Sequence, residues 1–269
     1  MMYVATIAFT FFHCREEAAL NAVDLLLGTW RMNGQVLGRE FPMARTEDGV
    51  TCTLLLPDSN ALEARYDSVY MSPRSAALAQ AEVTGPTIVS RTPEPNSAEP
   101  CRCKPHTGLI LYTDYLSLES PLRCADCFGP IPLYQMPPPH GDDYYDAICW
   151  QSDYQAFDHL QMSAVAGERL ALHQMGKHDS ALSRQGRAIC EAWEAKTGLT
   201  VFYYLYRHYG KSLVRETARR CPSCDSEWRL PRRLHGRFDF RCDKCRLLSN
   251  VAHSLSHLVE RRPRSVRNV

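Results

Sequence analysis

No run of 18 apolar residues occurs anywhere in the 269-residue chain, so no helix is expected to cross a membrane. The opening stretch MMYVATIAFTFF is apolar, but no basic residue precedes it. Its polarity alternates after Tyr3, which reads as a buried first strand rather than a secretory leader. Common catalytic signatures are missing too: there is no G-x-S-x-G, no Walker loop, no G-x-G-x-x-G and no H-E-x-x-H. His159, His173 and His178 lie in the helical region with Asp158, Glu168 and Asp179, a group with the makings of a site. Gly167-Glu168-Arg169 and Ser183 to Arg187 are polar enough to line a groove. Solvated helix faces explain all of them equally well, so no catalytic residue is assigned and the chain is not expected to be an enzyme. No repeat of fixed period and no low-complexity tract is present.

Cysteine, by contrast, is plentiful, with 12 in the chain. A disulfide scaffold of that density would be small, secreted and loop-rich, and this chain is none of these. Eight cysteines form close pairs: Cys101/Cys103, Cys124/Cys127, Cys221/Cys224 and Cys242/Cys245. Close pairing suits metal chelation in a reducing compartment, so a cytoplasmic location is expected. Cys14, Cys52, Cys149 and Cys190 stand alone among apolar neighbours and read as core. The net charge of +1 hides a division. From Arg207 onward there are 16 Lys and Arg against 6 Asp and Glu, and the body before it is correspondingly acidic.

Residues 3–11 read as a strand and Arg15 to Trp30 as a helix, ended by Asn33-Gly34. Gln35–Arg45 and Val50–Leu56 read as strands joined at Glu47-Asp48-Gly49. Asn60 to Glu82 is helical in character, broken near Pro73, and Thr87–Ser90 reads as a fourth strand. The order β-α-β-β-α-β is that of the ferredoxin-like split βαβ domain. Residues 91–100, RTPEPNSAEP, have linker composition. Residues 101–140 read as short strands and turns around four cysteines. A helical region follows: Trp150, Tyr154, Phe157, Leu160 and Gln161 on one helix, and Leu170, Leu172 and Met175 on a second. A third is capped by Asp179 or Ser180 and runs through Ile189, Cys190 and Trp193 to Thr197-Gly198. Thr200–Tyr206 is a buried strand or a short apolar helix, which periodicity does not decide.

Cys221-Pro-Ser-Cys224, 17 intervening residues and Cys242-Asp-Lys-Cys245 form a zinc-ribbon pattern. Each Cys-x-x-Cys turn presents two thiolates to one ion, and tetrahedral Zn²⁺ takes four at about 2.3 Å. A hairpin fits between them, with Trp228 and Leu230 on one strand, Phe238 and Phe240 on the other, and His235-Gly236 near the turn. A redox Cys-x-x-Cys stands singly and opens a helix, so the paired spacing favours metal. Such a site is closed and structural, with no open position for catalysis. Asp225 and Arg246 stand where ribbons often place glycine.

Cys101-Arg-Cys103 and Cys124-Ala-Asp-Cys127, 20 residues apart, make a second, less regular candidate zinc site. There His106 is an alternative to Cys101, and reduced cysteines with no metal are the competing reading. Around the ribbon lie Arg215, Arg219, Arg220, Arg229, Arg232, Arg233, Arg237, Arg241, Lys244 and Arg246, and the tail adds Arg261, Arg262, Arg264 and Arg267. Arginine forks suit phosphate, and Trp228, Phe238 and Phe240 are candidates for stacking on bases. The competing reading makes those aromatics the ribbon's core and the arginines counter-charges to thiolates and acids.

Several stretches resemble a family of uncharacterised bacterial proteins described as zinc-ribbon-containing and, from the ribbon, as candidates for nucleic-acid binding. The resemblance rests on Ser120-Pro-Leu-Arg-Cys124-Ala-Asp-Cys127 with Pro132-Leu-Tyr134, on Gly167-Glu-Arg169 and Tyr203-Tyr-Leu-Tyr206, and on Cys221-Pro-Ser-Cys224 with Phe240-Arg-Cys242-Asp-Lys-Cys245-Arg-Leu-Leu-Ser-Asn250. It implies a bacterial cytoplasmic protein and no catalytic residues.

The expected architecture is α+β. It comprises a ferredoxin-like domain at 1–92, a cysteine-containing β segment at 101–140, a helical region at 141–206, a zinc ribbon at 207–250 and a basic tail at 251–269. Nucleic-acid binding through the arginines is the leading functional expectation. A protein-interaction adaptor with structural zinc, for example a toxin-neutralising partner, is the alternative. An enzyme with its site between the helical region and the β domain is a third. No membrane partner is expected, and the oligomeric state is left open.

Overall fold

The computed structural model describes residues 1–12 and 15–255; Cys14 and the tail arginines from Arg261 onward lie outside the described residues. The chain is mixed α and β, built on two sheets. In the first, β1 (Tyr3–Thr10) alternates, turning Ala5, Ile7 and Phe9 inward. α1 (Glu16–Met32) lays Ala19, Val23, Leu26, Leu27 and Trp30 against them. Glu16 and Glu17 sit in its first turn, where the helix dipole favours acids. With β2 (Met43–Arg45), β3 (Gly49–Leu56), α2 (Met71–Gln80) and β4 (Thr84–Pro93), the strand order is β2-β3-β1-β4, antiparallel throughout.

Three local expectations need correction. The strand expected over Gln35–Arg45 pairs only at Met43–Arg45, apart from a single bridge from Leu37 to Leu55. Gly34 and Gly38 turn the chain at positive φ, and the Gln35 backbone N–H donates to the Trp30 carbonyl at 2.9 Å instead of joining a ladder, while its buried side-chain amide donates to the Ala61 carbonyl. The helix expected from Asn60 begins only at Met71. Pro73 opens it rather than breaking it, because the N–H that proline lacks is unpaired in a first turn. The fourth strand runs on to Pro93, into the stretch of linker composition.

The second sheet has six strands in the order β6-β5-β7-β10-β9-β8. These are β5 (Gly108–Leu111), β6 (Leu122–Cys124), β7 (Thr200–Leu205), β8 (Arg229–Leu234), β9 (Phe238–Cys242) and β10 (Leu247–Ser249). β7 runs parallel to both β5 and β10 and the other pairs are antiparallel. This settles Thr200–Leu205 as strand, with Tyr206 just beyond its end. A central parallel strand is buried on both faces and reads as an unbroken apolar run. The boundaries at 140 and 206 thus fall between strands of one continuous sheet.

α3 (Tyr145–Ser163), α4 (Glu168–Gly176) and α5 (Ala181–Thr197) accompany this sheet. Ser180 is the cap of α5, its Oγ accepting from the Ser183 N–H at 3.1 Å, and Gly198 closes the helix at φ 70°. On α4 the buried residues are Ala171 and Met175, whereas Leu170 is exposed. Gly186 on α5 lets the helix close on β7: a Cβ there would stand 2.2 Å from the Tyr203 ring and 2.6 Å from Trp150 Nε1. Ser183 and Gly186 are buried in that contact, and of the stretch expected to line a groove Arg187 borders a cavity of about 260 Å³ beside Cys245. The first unit meets the second through Tyr134, whose hydroxyl donates to Asp58 at 2.6 Å, and through the Tyr144 N–H on the Met32 carbonyl at 3.0 Å.

Candidate metal centres

All eight paired cysteines are gathered as the spacing demands. Cys221, Cys224, Cys242 and Cys245 form one group and Cys101, Cys103, Cys124 and Cys127 the other, with the four sulfurs in each within 4.8 Å of one another. Zn–S bonds of about 2.3 Å place tetrahedral sulfurs about 3.8 Å apart, and Cys224 and Cys242 Sγ are separated by 3.6 Å. The first pair of the C-terminal group precedes β8, and the second spans the end of β9 and the turn into β10. Asp225 and Arg246, the residues just after each knuckle, adopt φ of 56° and 54°. Both therefore take the left-handed backbone that glycine usually supplies. Arg246 is compensated by its guanidinium, which reaches Glu194 at 3.0 Å and the Asp243 carbonyl.

In the central group, Cys101 and Cys103 come from the segment before β5, and Cys124 and Cys127 from the end of β6. Backbone N–H groups point at the sulfurs: Cys103 to Cys101 at 3.3 Å, Asp126 to Cys124 at 3.4 Å and Gly129 to Cys127 at 3.4 Å. Such donors spread thiolate charge. His106 Nδ1 lies 3.7 Å from Cys101 Sγ; it stands beside that cysteine rather than in its place, and the four thiols complete the set. Four neutral thiols crowded together titrate unevenly. Burial pushes Cys242 up to about 12 and Cys124 up to about 11, while hydrogen bonding with Ser226 draws Cys224 down to about 6. A divalent cation among them reverses that balance and favours all four thiolates. The donor set, its closed geometry and the backbone donors fit a structural metal ion at each group.

The two groups are physically joined. The three-residue β8–β9 connection turns at His235 and Gly236, both at positive φ, and the Arg237 N–H closes the turn on the Leu234 carbonyl at 3.0 Å. His235 Nε2 lies 2.7 Å from the carbonyl of Ala125, inside the central knuckle, and its ring stacks on Phe128. Phe128, Tyr112, Tyr204 and Phe238 pack around this contact.

The proposed stacking residues are not available to bases: Trp228, Phe238 and Phe240 are all buried. The arginines around them are largely committed within the protein. Arg219 lies 4.5 Å over the Phe240 ring and 5.2 Å over Trp228, and donates to Ser249 Oγ and the Asn250 carbonyl. Arg229 and Arg233 face the buried Asp239, at 3.9 and 3.2 Å. Arg220 pairs with Glu227, Arg241 with Asp243 and Arg246 with Glu194, while Arg237 donates to Tyr112. Of the nine cations expected to contact nucleic acid, only Arg232 and Lys244 have no partner among the described residues. Glu216, buried between Arg207 and Arg219, completes this internal charge pairing. Its position inside a basic segment is the one sequence signal that could have exposed it.

A groove that the sequence indicated only through Arg169, His173, His178 and Asp179 opens beside Cys221 and Cys224. About 600 Å³ in volume, it runs between α4 with the turn after it, the residues that follow β7, and Arg219 to Pro222. Arg169, Lys177 and Arg220 stand on its walls with His173 and His178, and Asp179 is the one acid lining it. His159 is elsewhere, stacked on Tyr115. The cleft between the first unit and α3, where the enzyme reading would put a site, holds about 70 Å³, and no carboxylate, histidine or cysteine lines it.

A protein of Haemophilus influenzae is 34% identical over 244 residues, covering 88% of this chain and 91% of the relative. The chain belongs to that protein's family. A second Haemophilus influenzae protein is 41% identical over 143 residues, 53% of this chain and 70% of its own length. Both are described only as uncharacterized proteins. Three family models match, each described as a domain of unknown function: DUF8589 over residues 2–90, DUF2310 over 103–206 and DUF8594 over 210–255. None of these descriptions names a zinc ribbon. No solved structure matches.

Proposed function

We propose that each tetra-cysteine group holds one structural Zn²⁺, and that the groove beside Cys221 and Cys224 is a nucleic-acid-binding surface. Four thiolates in a closed set with no open position suit tetrahedral Zn²⁺ in a structural role; the same donors also suit iron, which elemental analysis separates from zinc. The first unit, on its strand order, is read as a ferredoxin-like split βαβ. Thiols kept reduced for metal suit a cytoplasmic setting.

The observation that carries nucleic-acid binding is the groove beside Cys221 and Cys224, where cations outnumber acids. The ribbon strands contribute little, because their arginines are occupied by Asp239, Glu227, Asp243 and aromatic rings. A polyanion held by such cations releases counterions, so binding should weaken steeply with salt. The test is a pair of measurements on the full chain. Elemental analysis should find two zinc ions per protein, falling to one in Cys124→Ser and one in Cys242→Ser. Gel-shift titration with RNA and DNA at low salt should show binding that salt abolishes.

A protein-adaptor role has one observation in its favour. On the first unit, Leu25 and Tyr70 are exposed around a shallow apolar cavity of about 340 Å³. Co-purification that survives nuclease and high salt would favour that reading over the first.

A further inference from the structure

We infer that the groove beside the first knuckle takes a single strand of RNA or DNA, with its phosphates on Arg169, Lys177 and Arg220 and a base stacked on Tyr209. This rests on the nucleic-acid reading above and deepens it. Arg169 and Lys177, both exposed, lie on the α4 side, and neither has a partner among the described residues. Arg220, also exposed, faces them from the knuckle side. Its pair with Glu227 is itself solvent-exposed and yields easily to a competing phosphate, while its Nε donation to the Asp225 carbonyl at 2.8 Å holds the guanidinium at the knuckle. Cations on opposite walls track a backbone lying along the groove.

Tyr209 supplies what the ribbon aromatics do not. Its side chain is exposed, and its ring stands edge-on to His208 with centroids 4.4 Å apart. Its hydroxyl donates to Glu168 at 2.8 Å, which fixes the ring's orientation. A held, exposed ring among cations is the arrangement on which unpaired bases stack, whatever their sequence. A duplex hides those base faces and is read by a helix or ribbon inserted into its grooves. Here the cations line a concavity instead. Its volume of about 600 Å³ lies within the range of pockets that enclose a small-molecule ligand, and it suits a short piece of strand rather than a double helix.

The experiment measures fluorescence anisotropy of labelled 12-mer oligopyrimidine RNA, the same DNA, and a blunt DNA duplex against zinc-loaded full-length protein. Tyr209→Ala should weaken single-strand binding about tenfold, and Tyr209→Phe, which keeps the ring and loses the Glu168 bond, should retain most of it. Arg169→Glu with Lys177→Glu should weaken it more, and Arg232→Glu on the ribbon strand should leave it near wild type. Loss in Arg232→Glu with the groove variants unaffected would overturn the groove while sparing nucleic-acid binding. Duplex bound as tightly as single strand would overturn the strand preference. No binding of any probe at low salt would remove both readings. The RNA and DNA arms identify the preferred strand chemistry.

Discussion

His235 Nε2 donates to the carbonyl of Ala125 at 2.7 Å, across 110 residues of chain. One partner sits in the turn of the hairpin between the C-terminal knuckles; the other lies between Cys124 and Cys127. The two metal groups therefore share a contact and should not respond independently. His235→Ala removes the bond and places alanine at φ 50°, a combined loss of about 2 kcal/mol. His235→Asn, which tolerates that backbone better, should lose less. Urea midpoints of zinc-loaded proteins check the order, and zinc release from the central group to a chromogenic chelator should quicken in His235→Ala.

A second expectation concerns Glu119 and Arg123. Their side chains are 13% and 6% exposed and lie 3.2 Å apart, next to Cys124 in sequence. Burial alone would raise the Glu119 carboxyl, but hydrogen bonds from Ser117 and the Ala98 N–H, with the Arg123 charge, outweigh it and hold the group low. A carboxylate held low contributes stability that is complete above its unfolded value near about 4.3. That stability is lost as pH falls through the lower folded value. Glu119→Gln should flatten the stability profile in that acid window. Glu119→Ala should cost about 3 kcal/mol at neutral pH by stranding a buried guanidinium. Thermal unfolding against pH measures both.

The pair between Arg246 and Glu194 gives the opposite expectation. Side chains 41% and 33% exposed are screened by solvent, and the pair contributes about 0.5 kcal/mol. Arg246→Gly should nevertheless be no less stable than Arg246→Ala, and by about 1 kcal/mol more so, because glycine meets no penalty at φ 54°. Chemical denaturation of the two variants side by side decides it.

Gly186→Ala should cost about 2–3 kcal/mol. The added methyl would drive into the Tyr203 ring and Trp150, both fully buried, and overpacking at a helix–strand contact is costly. A change in tryptophan emission should accompany the fall in midpoint.

Metal removal should act unequally along the chain. No paired cysteine lies between residues 3 and 93, so amide exchange there should remain slow after chelation. Protection over 101–129 and 221–249 should collapse, because those segments are fastened through the sulfurs.

The cysteine groups were legible in the sequence because ligand spacing is local, and so were β1, α1 and the Ser180 and Gly198 ends of α5. What escaped was non-local. The parallel pairing that sets Leu111 and Leu247 on either side of Tyr203 joins segments that nothing nearby in sequence connects. Two of the arginines looked free for the same reason: Arg237 finds Tyr112 across 125 residues, and Arg246 finds Glu194 across 52. The groove was legible only on its α4 side, through Arg169, His173 and His178, because Arg220 and Tyr209 meet them only once that sheet has formed. Buried aromatics and stacking aromatics also read alike in a hairpin, since alternation shows a face and not what covers it.

The placement of β7 between β5 and β10 has a consequence for the order of synthesis. The first unit is complete once Pro93 has emerged, and domains fold from the N-terminus as they are made. β5 and β6 follow soon after but wait some 90 residues for the central strand, and that strand's other edge stays bare until Leu247 to Ser249 arrive. The last knuckle ends at Cys245, just ahead of that closing strand. Completion of the second cysteine group and closure of the sheet therefore fall at nearly the same moment of translation. A chain truncated before Leu247 would leave the ribosome with an open parallel edge, a substrate for aggregation or proteolysis.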